Sequence, residues 1–359
     1  MKLSPSFARI YNRSGVRWLS NIGIVSTGVY LPEKRMTGEE IAEQSGVPVE
    51  VVKEKMGIVE KPIPGEDDHT VEMGIRAAKN AFAKSAVKPE DIDLIIYIGE
   101  EHKEYLLWTA SIKMQKELGC TNAWGFDVAL RCGTTIMAMK VAKDMMTSDP
   151  TIQTVLLAGG YRNVDFIHYD NPRTRFMYNL GAGGAAMILQ ADANENVVRE
   201  SHLMTDGDFS EDVVVVGGGT KTPMSEEVLA QGLYQLDVLD PEGMKQRLEQ
   251  KSMGNFLTVI REALRKSGYT EADIDYLAIL HMKKSAHDYV LNELGLSADQ
   301  AIYLSDYGHI GQMDQILSLE LAVERGQVKE GDLVVFVSAG IGYAWGATVV
   351  EWGKRRLTS

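Results

Sequence analysis

Residues 124–146 read WGFDVALRCGTTIMAMKVAKDMM. Trp124, Phe126 and Val128 alternate as the inward side chains of a buried strand do. From Arg131-Cys132-Gly133 onward the spacing changes. Ile136, Met139, Ala142 and Met146 recur every three or four residues, the face of an amphipathic helix. The stretch therefore predicts a strand, a tight turn and a helix that begins at a cysteine. A thiol in that place sits among unpaired backbone N–H groups at the positive end of the helix dipole. Those groups favour the thiolate, and they can hold an oxyanion that develops on a carbonyl under attack. Cys132 is thus the candidate nucleophile, and the rest of the chain has to supply a base and a substrate.

The composition limits the alternatives. The chain has 359 residues, 45% hydrophobic and 24% charged, with a formal charge of −13 and a pI near 5.1. That length suits two domains or one duplicated unit with a large core. An acidic chain whose one basic run is KRR at 354–356 does not suit a nucleic-acid partner, because phosphate contacts need clustered Lys and Arg. The two cysteines, Cys120 and Cys132, give no metal-binding spacing, so no metal is expected. A polar N-terminus broken by Pro5, and no apolar run of spanning length, predict a cytoplasmic protein with no membrane partner.

Residues 1–20 have no clear periodicity and read as an N-terminal extension. A short strand is expected over Ile22–Val25, ended by Gly28 and Leu31-Pro32. Thr37-Gly-Glu-Glu has the capping-box spacing that starts a helix. Further helices are expected over about 48–56 and 73–86, then a strand over Leu94–Ile98. The sequence also echoes itself. MGIRAAKNAFAKSAVKPEDIDLIIYI (73–98) aligns without gaps on NFLTVIREALRKSGYTEADIDYLAIL (255–280). Residues 135–160 align with 315–340, and GAAMIL (184–189) with GATVVE (346–351). Three echoes in one order predict two copies of one α/β unit, here divided as 21–200 and 201–359. The second copy carries Gln312 where the first has Cys132. Ligands of such sheets lie beyond the carboxyl ends of strands, so the site is expected in the crevice between the halves.

Six motifs resemble one known superfamily in order and spacing. They are GVYLPEKRMT near the start, FDVALRCG at the cysteine, LGAGGAAMIL at 180–189, LH at 280–281, YGH at 307–309 and VSAGIGYAWGATVVEW at the end. The chain resembles the thiolase-like condensing enzymes, in particular ketoacyl-acyl-carrier-protein synthase III, with HMG-CoA synthase as a near relative. The resemblance covers residues 22–352. It implies a five-layered αβαβα fold, two halves around a pseudo-twofold axis, and a homodimer. It implies acyl-CoA or an acyl carrier protein as substrate and partner, and no cofactor beyond that thioester. Carried over by position, Cys132 takes up the acyl group and His281 stands beside the thiol. His309 replaces the asparagine of the synthase III motif. As in the elongating ketosynthases, two histidines would then stabilise an enolate. Gly340 and Gly342 belong to the loop that brings a backbone N–H to the oxyanion. Glu101 falls where HMG-CoA synthases carry a catalytic glutamate, which would allow condensation without decarboxylation. Lys55 stands for the family's CoA-binding arginine, and Val51 for its adenine-stacking tryptophan. Arg173 and Arg175 are further candidates for a phosphate or a carboxylate.

Each candidate has a plainer reading. A buried cysteine is usually structural, a histidine at a strand end is usually a satisfied polar residue, and Glu101 lies in an acidic loop with Glu100 and Glu104. The glycine runs at 181–184 and 217–219 lack P-loop or dinucleotide spacing and read as turns or close packing. Three functions follow. The first is an acyl-thioester condensing enzyme working through an acyl-cysteine. The second is an acyltransferase or thioester hydrolase on the same scaffold. The third is a non-catalytic partner subunit, which retention of Cys132 and His281 disfavours.

Overall fold

The computed structural model describes residues 10–12, 15–17 and 21–354. The expected extension over residues 1–20 lies outside them, except for the backbone of a small hairpin that pairs Ile10–Asn12 with Gly15–Arg17. Nine strands make up the central sheet structure. They are β1 (Ile22–Tyr30), β2 (Leu94–Tyr97), β3 (Trp124–Asp127), β4 (Thr154–Tyr161), β5 (Gly183–Ala191), β6 (Glu195–Thr205), β7 (Tyr276–Ile279), β8 (Leu333–Gly340) and β9 (Ala344–Lys354). Their order is β7-β8-β9-β6-β1-β5-β4-β2-β3. Pairs β2–β3, β2–β4 and β7–β8 are parallel and the rest antiparallel. The two halves meet edge to edge at one registered pair, Val197 opposite Gly23.

Six helices form the layers: α1 (Thr70–Ala83), α2 (Ala110–Leu118), α3 (Thr134–Ser148), α4 (Pro241–Ser267), α5 (Lys284–Glu293) and α6 (Asp314–Glu324). The alternation of side chains along each strand assigns them. On β2, Ile95 and Tyr97 join a cluster with Val71, Ile75 and Met114 of α1 and α2. Leu94 and Ile96 face the other way, into a cluster with Ile136 and Met139 of α3 and Ile316 and Leu319 of α6. Val334 and Phe336 of β8 enter that same cluster. Leu333, Val335 and Val337 face outward against Phe256, Val259 and Ile260 of α4. Both halves of the sheet thus bury one face against the shared pair α3 and α6 and the other against outer helices. This is the expected αβαβα arrangement. The helical stripe read from the sequence, Ile136, Met139, Ala142 and Met146, is the buried face of α3. Truncating Met139 to Ala would cost about 2–5 kcal/mol through lost burial and the cavity left behind.

The internal echo is physical. The helix–turn–strand unit recurs as α1, Pro89–Asp91, β2 and as α4, Glu271–Asp273, β7. In each copy the second aspartate of Asp-Ile-Asp ties two strands. Asp93 accepts from the N–H of Gln153 and Thr154 at 2.8 and 2.9 Å, and Asp275 from that of Leu333 at 2.8 Å.

Several boundaries differ from the sequence reading. β1 runs on through Gly28 to Tyr30 instead of ending there, because glycine allows α1 to press on it; a Cβ at 28 would lie 2.2 Å from the carbonyl oxygen of Ala77. β3 is an edge strand, so Trp124 is 52% exposed and not buried. The helix expected over 73–86 occupies 70–83, and the helix expected over about 48–56 occupies 49–55. The expected division at 200/201 falls within the strand β6.

Candidate active site

Cys132 sits in a 3₁₀ turn, Arg131–Gly133, that feeds α3 from its N-terminal side. Arg131 is left-handed (φ 50°), a conformation that costs a non-glycine residue about 1–2 kcal/mol. The turn is held on both sides. The N–H of Leu130 donates to Thr134 Oγ1 at 2.7 Å, and Ser338 Oγ donates to the carbonyl of Cys132 at 2.6 Å. A Cβ at Gly340 would come within 2.9 Å of the Cys132 nitrogen, so glycine is what lets the end of β8 reach the nucleophile. Arg131 pairs with the buried Glu100 at 3.1 Å and with Glu101.

His309 arrives from the second half, after the left-handed Gly308. Its Nε2 lies 3.0 Å from Cys132 Sγ and its Nδ1 2.6 Å from Asp314 Oδ2. Asp314, the first residue of α6, is fully buried. Its Oδ1 accepts from the N–H of Ile310 and its Oδ2 from the N–H of His281, both at 2.8 Å. Burial opposes charging His309. The Asp314 carboxylate and the Cys132 sulfur, by charge and hydrogen bond, outweigh it and raise the imidazole well above its ordinary pKa. The result is a Cys–His–Asp set with a charge-ready imidazole against the thiol.

His281 lines the same cavity but does not touch the thiol. Its Nε2 faces the carbonyl of Gly57 at 3.0 Å and its Nδ1 the side-chain nitrogen of Asn179 at 2.8 Å. Burial pushes its pKa down to about 4. The place beside the sulfur that the sequence assigned to His281 belongs to His309, because the YGH loop is the one drawn to the Cys132 turn.

The cavity holds about 650 Å³. Its inner end carries Cys132, His309, His281 and Asn179. Its walls are apolar, with Met56, Ile58, Met253, Phe256, Leu280 and Met282, and Lys55, Arg173 and Arg175 also line it. Arg173 is held bidentately by Asp237 at 2.9 and 2.6 Å. Gly340 lines the cavity and Gly342 does not; Gly342 lines a separate hollow of about 410 Å³ across the same loop. Glu101 belongs to that hollow too. Its side chain is 63% exposed and ion-paired with Arg131, so within this chain it does not stand beside the acyl-cysteine as expected. The buried carboxylate of the pair is Glu100. Among the described residues no His, Cys, Asp or Glu cluster is arranged for a metal.

Asp314 and Asn179 escaped the sequence reading. Asp314 had a legible signal. In the echo it aligns with Thr134, so a carboxylate replaces a hydroxyl at the cap of the equivalent helix. Asn179 precedes a glycine-rich strand and carried none.

Comparison with known proteins agrees with this fold. The family described as 3-oxoacyl-[acyl-carrier-protein] synthase III matches residues 126–207, and its C-terminal part matches 264–352. A β-ketoacyl-[acyl-carrier-protein] synthase III of Synechocystis is 25% identical over 335 residues, 93% of this chain and 98% of the relative. Among solved structures, the synthase III of Thermus thermophilus superposes with a TM-score of 0.79 at 24% identity, over 92% of this chain and 99% of that one. Xanthomonas campestris OleA, solved with lauric acid and lauroyl-CoA, superposes at 0.77 and 18% identity, over 93% and 100%. With two layered halves, a cysteine at the turn between strand and central helix, and a histidine brought to it by the other half, the chain has the thiolase-like fold and is similar to 3-oxoacyl-[acyl-carrier-protein] synthase III.

Proposed function

We propose that the protein is an acyl-thioester condensing enzyme that works in two half-reactions through Cys132. The observation that carries this reading is the contact of Cys132 Sγ with His309 Nε2 at 3.0 Å, with Asp314 behind the imidazole, at the inner end of an apolar cavity. In the first half-reaction His309 takes the thiol proton and the thiolate attacks the thioester carbonyl. The carbon–sulfur bond to the carrier breaks, and the carrier thiol leaves with a proton. In the second, the α-carbon of another thioester first gives up a proton to His309 or, from a malonyl donor, loses carbon dioxide, and the resulting enolate attacks the acyl-cysteine. A carbon–carbon bond forms, the bond to Cys132 breaks, and the thiolate leaves, taking back the proton that His309 holds where the donor lost one. Backbone N–H groups of the Cys132 turn and of the loop beginning at Gly340 would donate to the oxyanion as it develops. The apolar walls suit an acyl chain. Lys55 and Arg175 suit the phosphates of CoA or of a carrier protein's prosthetic arm. The exposed edge strand β3, with Trp124, suits pairing with a second copy of the chain.

Asp314 favours a second reading, acyl transfer to an alcohol, amine or water. A carboxylate-backed imidazole can remove a proton from such a nucleophile. His281 is also not free to donate to an enolate, since its Nε2–H is engaged by Gly57. Intact-mass spectrometry after incubation with a panel of acyl-CoAs tests the common step. The expected result is a single acyl adduct on the wild type and none on Cys132→Ala. No adduct across the panel overturns both readings. Product analysis with a second thioester, against an added amine or alcohol, then separates condensation from transfer.

A further inference from the structure

We propose that Asn179 is the residue that positions both histidines, and that the buried ammonium of Lys61 fixes Asn179 in turn. The inference rests on the functional reading above for its consequence in catalysis, but not for its geometry.

The hydrogen-bond directions follow from what each group can do. The carbonyl of Gly57 only accepts, so His281 Nε2, 3.0 Å away, carries the hydrogen. A neutral imidazole then has an acceptor at Nδ1. The Asn179 side chain must point its NH₂ there, at 2.8 Å, and its Oδ1, buried, has no hydrogen-bond partner. The other end of the same residue holds His309. The carbonyl of Asn179 accepts from the N–H of His309 at 2.8 Å, and the carbonyl of His309 accepts from the N–H of Gly181 at 2.9 Å. This is the bridge that registers Leu180 with His309. One asparagine therefore orients one histidine with its side chain and anchors the other with its backbone.

Lys61 clamps that asparagine from both sides. Its Nζ donates to the carbonyls of Tyr178 and Leu180, at 2.6 and 2.7 Å, and to Tyr169 Oη at 2.7 Å. All three ammonium protons are thereby used, and the two carbonyls belong to the neighbours of Asn179. Lys61 is wholly buried. Gly308 permits the approach, because a Cβ there would lie 2.3 Å from the Asn179 carbonyl oxygen and 3.1 Å from Lys61 Cβ. The titratable groups facing His281 are Asp314, His309, Lys61, His287 and the stacked Tyr303.

Asn179→Asp is the discriminating variant. A carboxylate at 179 cannot donate, so His281 Nδ1 must take up a proton while Nε2–H stays on Gly57. The imidazole becomes a cation at neutral pH. Nitrogen NMR of the free protein, with His281 assigned by difference against His281→Gln, reads this without any substrate. The expected result is a neutral, Nε2–H His281 in the wild type from pH 5 to 8 and a doubly protonated one in the variant. Equal titration of His281 in the two proteins overturns the proposal. Under the functional reading, Asn179→Asp and Lys61→Met should each slow Cys132 acylation about 100-fold, the scale expected for misplacing a reacting group by about 1 Å. Lys61→Arg should recover part of that loss. Acylation at the wild-type rate in folded Asn179→Asp and Lys61→Met overturns it as well. A wild type that forms no adduct at all condemns the functional reading alone, since the NMR result stands apart from it.

Discussion

Two turns at equivalent places in the two halves, Arg131-Cys132-Gly133 and Gly311-Gln312-Met313, share a backbone and divide the chemistry. Both are 3₁₀ turns leading into the central helices α3 and α6. Both open on a left-handed residue, Arg131 (φ 50°) and Gly311 (φ 63°). Both are capped alike, with the N–H of Leu130 on Thr134 Oγ1 and the N–H of Ile310 on Asp314 Oδ1. Gln312, in the cysteine's place, spends its amide on the carbonyl of Ile98 at 2.7 Å and is structural. A hydroxyl cap has nothing left over once it holds its turn. A carboxylate cap has a second oxygen, and that oxygen holds His309. The two halves thus supply two like sockets, and cysteine in one with aspartate in the other sets Cys132 against the Asp314-held His309 across the seam.

Asp314→Thr gives the second turn the cap of the first and should break the comparison most strongly. The N–H of Ile310 keeps its acceptor while His309 loses its carboxylate. Acylation of Cys132 in single-turnover assays should fall about 10²–10⁴-fold, the usual contribution of a positioned base. A rate within a few-fold of wild type would mean that Asp314 is only a cap. Gly311→Ala probes the backbone. A Cβ there meets the Tyr161 ring at 2.2 Å in a left-handed conformation, so stability in urea should fall by roughly 2–5 kcal/mol.

The pH dependence is smaller, and on its acidic side the buried histidines of the second half contribute to it. Burial depresses His281 and His287 to about 4 from an ordinary 6.5. Between those values the unfolded chain binds protons that the native chain refuses, so stability rises with pH by about 1.4 kcal/mol per unit for each residue. His309 is raised and has the opposite sign. Its contribution is complete below 6.5 and is lost as pH rises through its folded value. Urea unfolding between pH 4.5 and 6.5 should therefore show stability rising with pH, and His287→Leu should roughly halve that slope; above pH 7 Lys61, lowered by burial to about 7, adds a rise that offsets the loss at His309. The smallest test concerns the repeated aspartate. Asp275→Ala removes one bond to the neighbouring strand and should cost about 1 kcal/mol, and Asp93→Ala, with two bonds, somewhat more.

Much of this was legible in advance because it is local. The period of Ile136, Met139, Ala142 and Met146 marked the buried face of a helix, and the change of period before it placed Cys132 at the turn. The repeated Asp-Ile-Asp marked the duplication, since each copy must tie its own strands. The edges of elements were less legible. Gly28 looked like a stop and is a contact point, because only the packed helix reveals what a glycine makes room for. The carboxylates misled for a similar reason. Glu100 and Glu101 are adjacent and chemically alike, and only the path of the chain buries one under Arg131 and turns the other to solvent.

The sequence by itself pointed to two α/β copies, to Cys132 as the candidate nucleophile and to candidate partners in the other copy. These depend on side-chain periodicity, turn chemistry and internal similarity, which short-range physics writes directly into the chain. Only the tertiary structure decided which histidine touches the thiol. His281 and His309 lie in comparable loops with comparable neighbours. The choice is made by contacts between residues far apart in sequence, in which Asp314 and Asn179 turn one imidazole toward Cys132 and lock the other against Gly57.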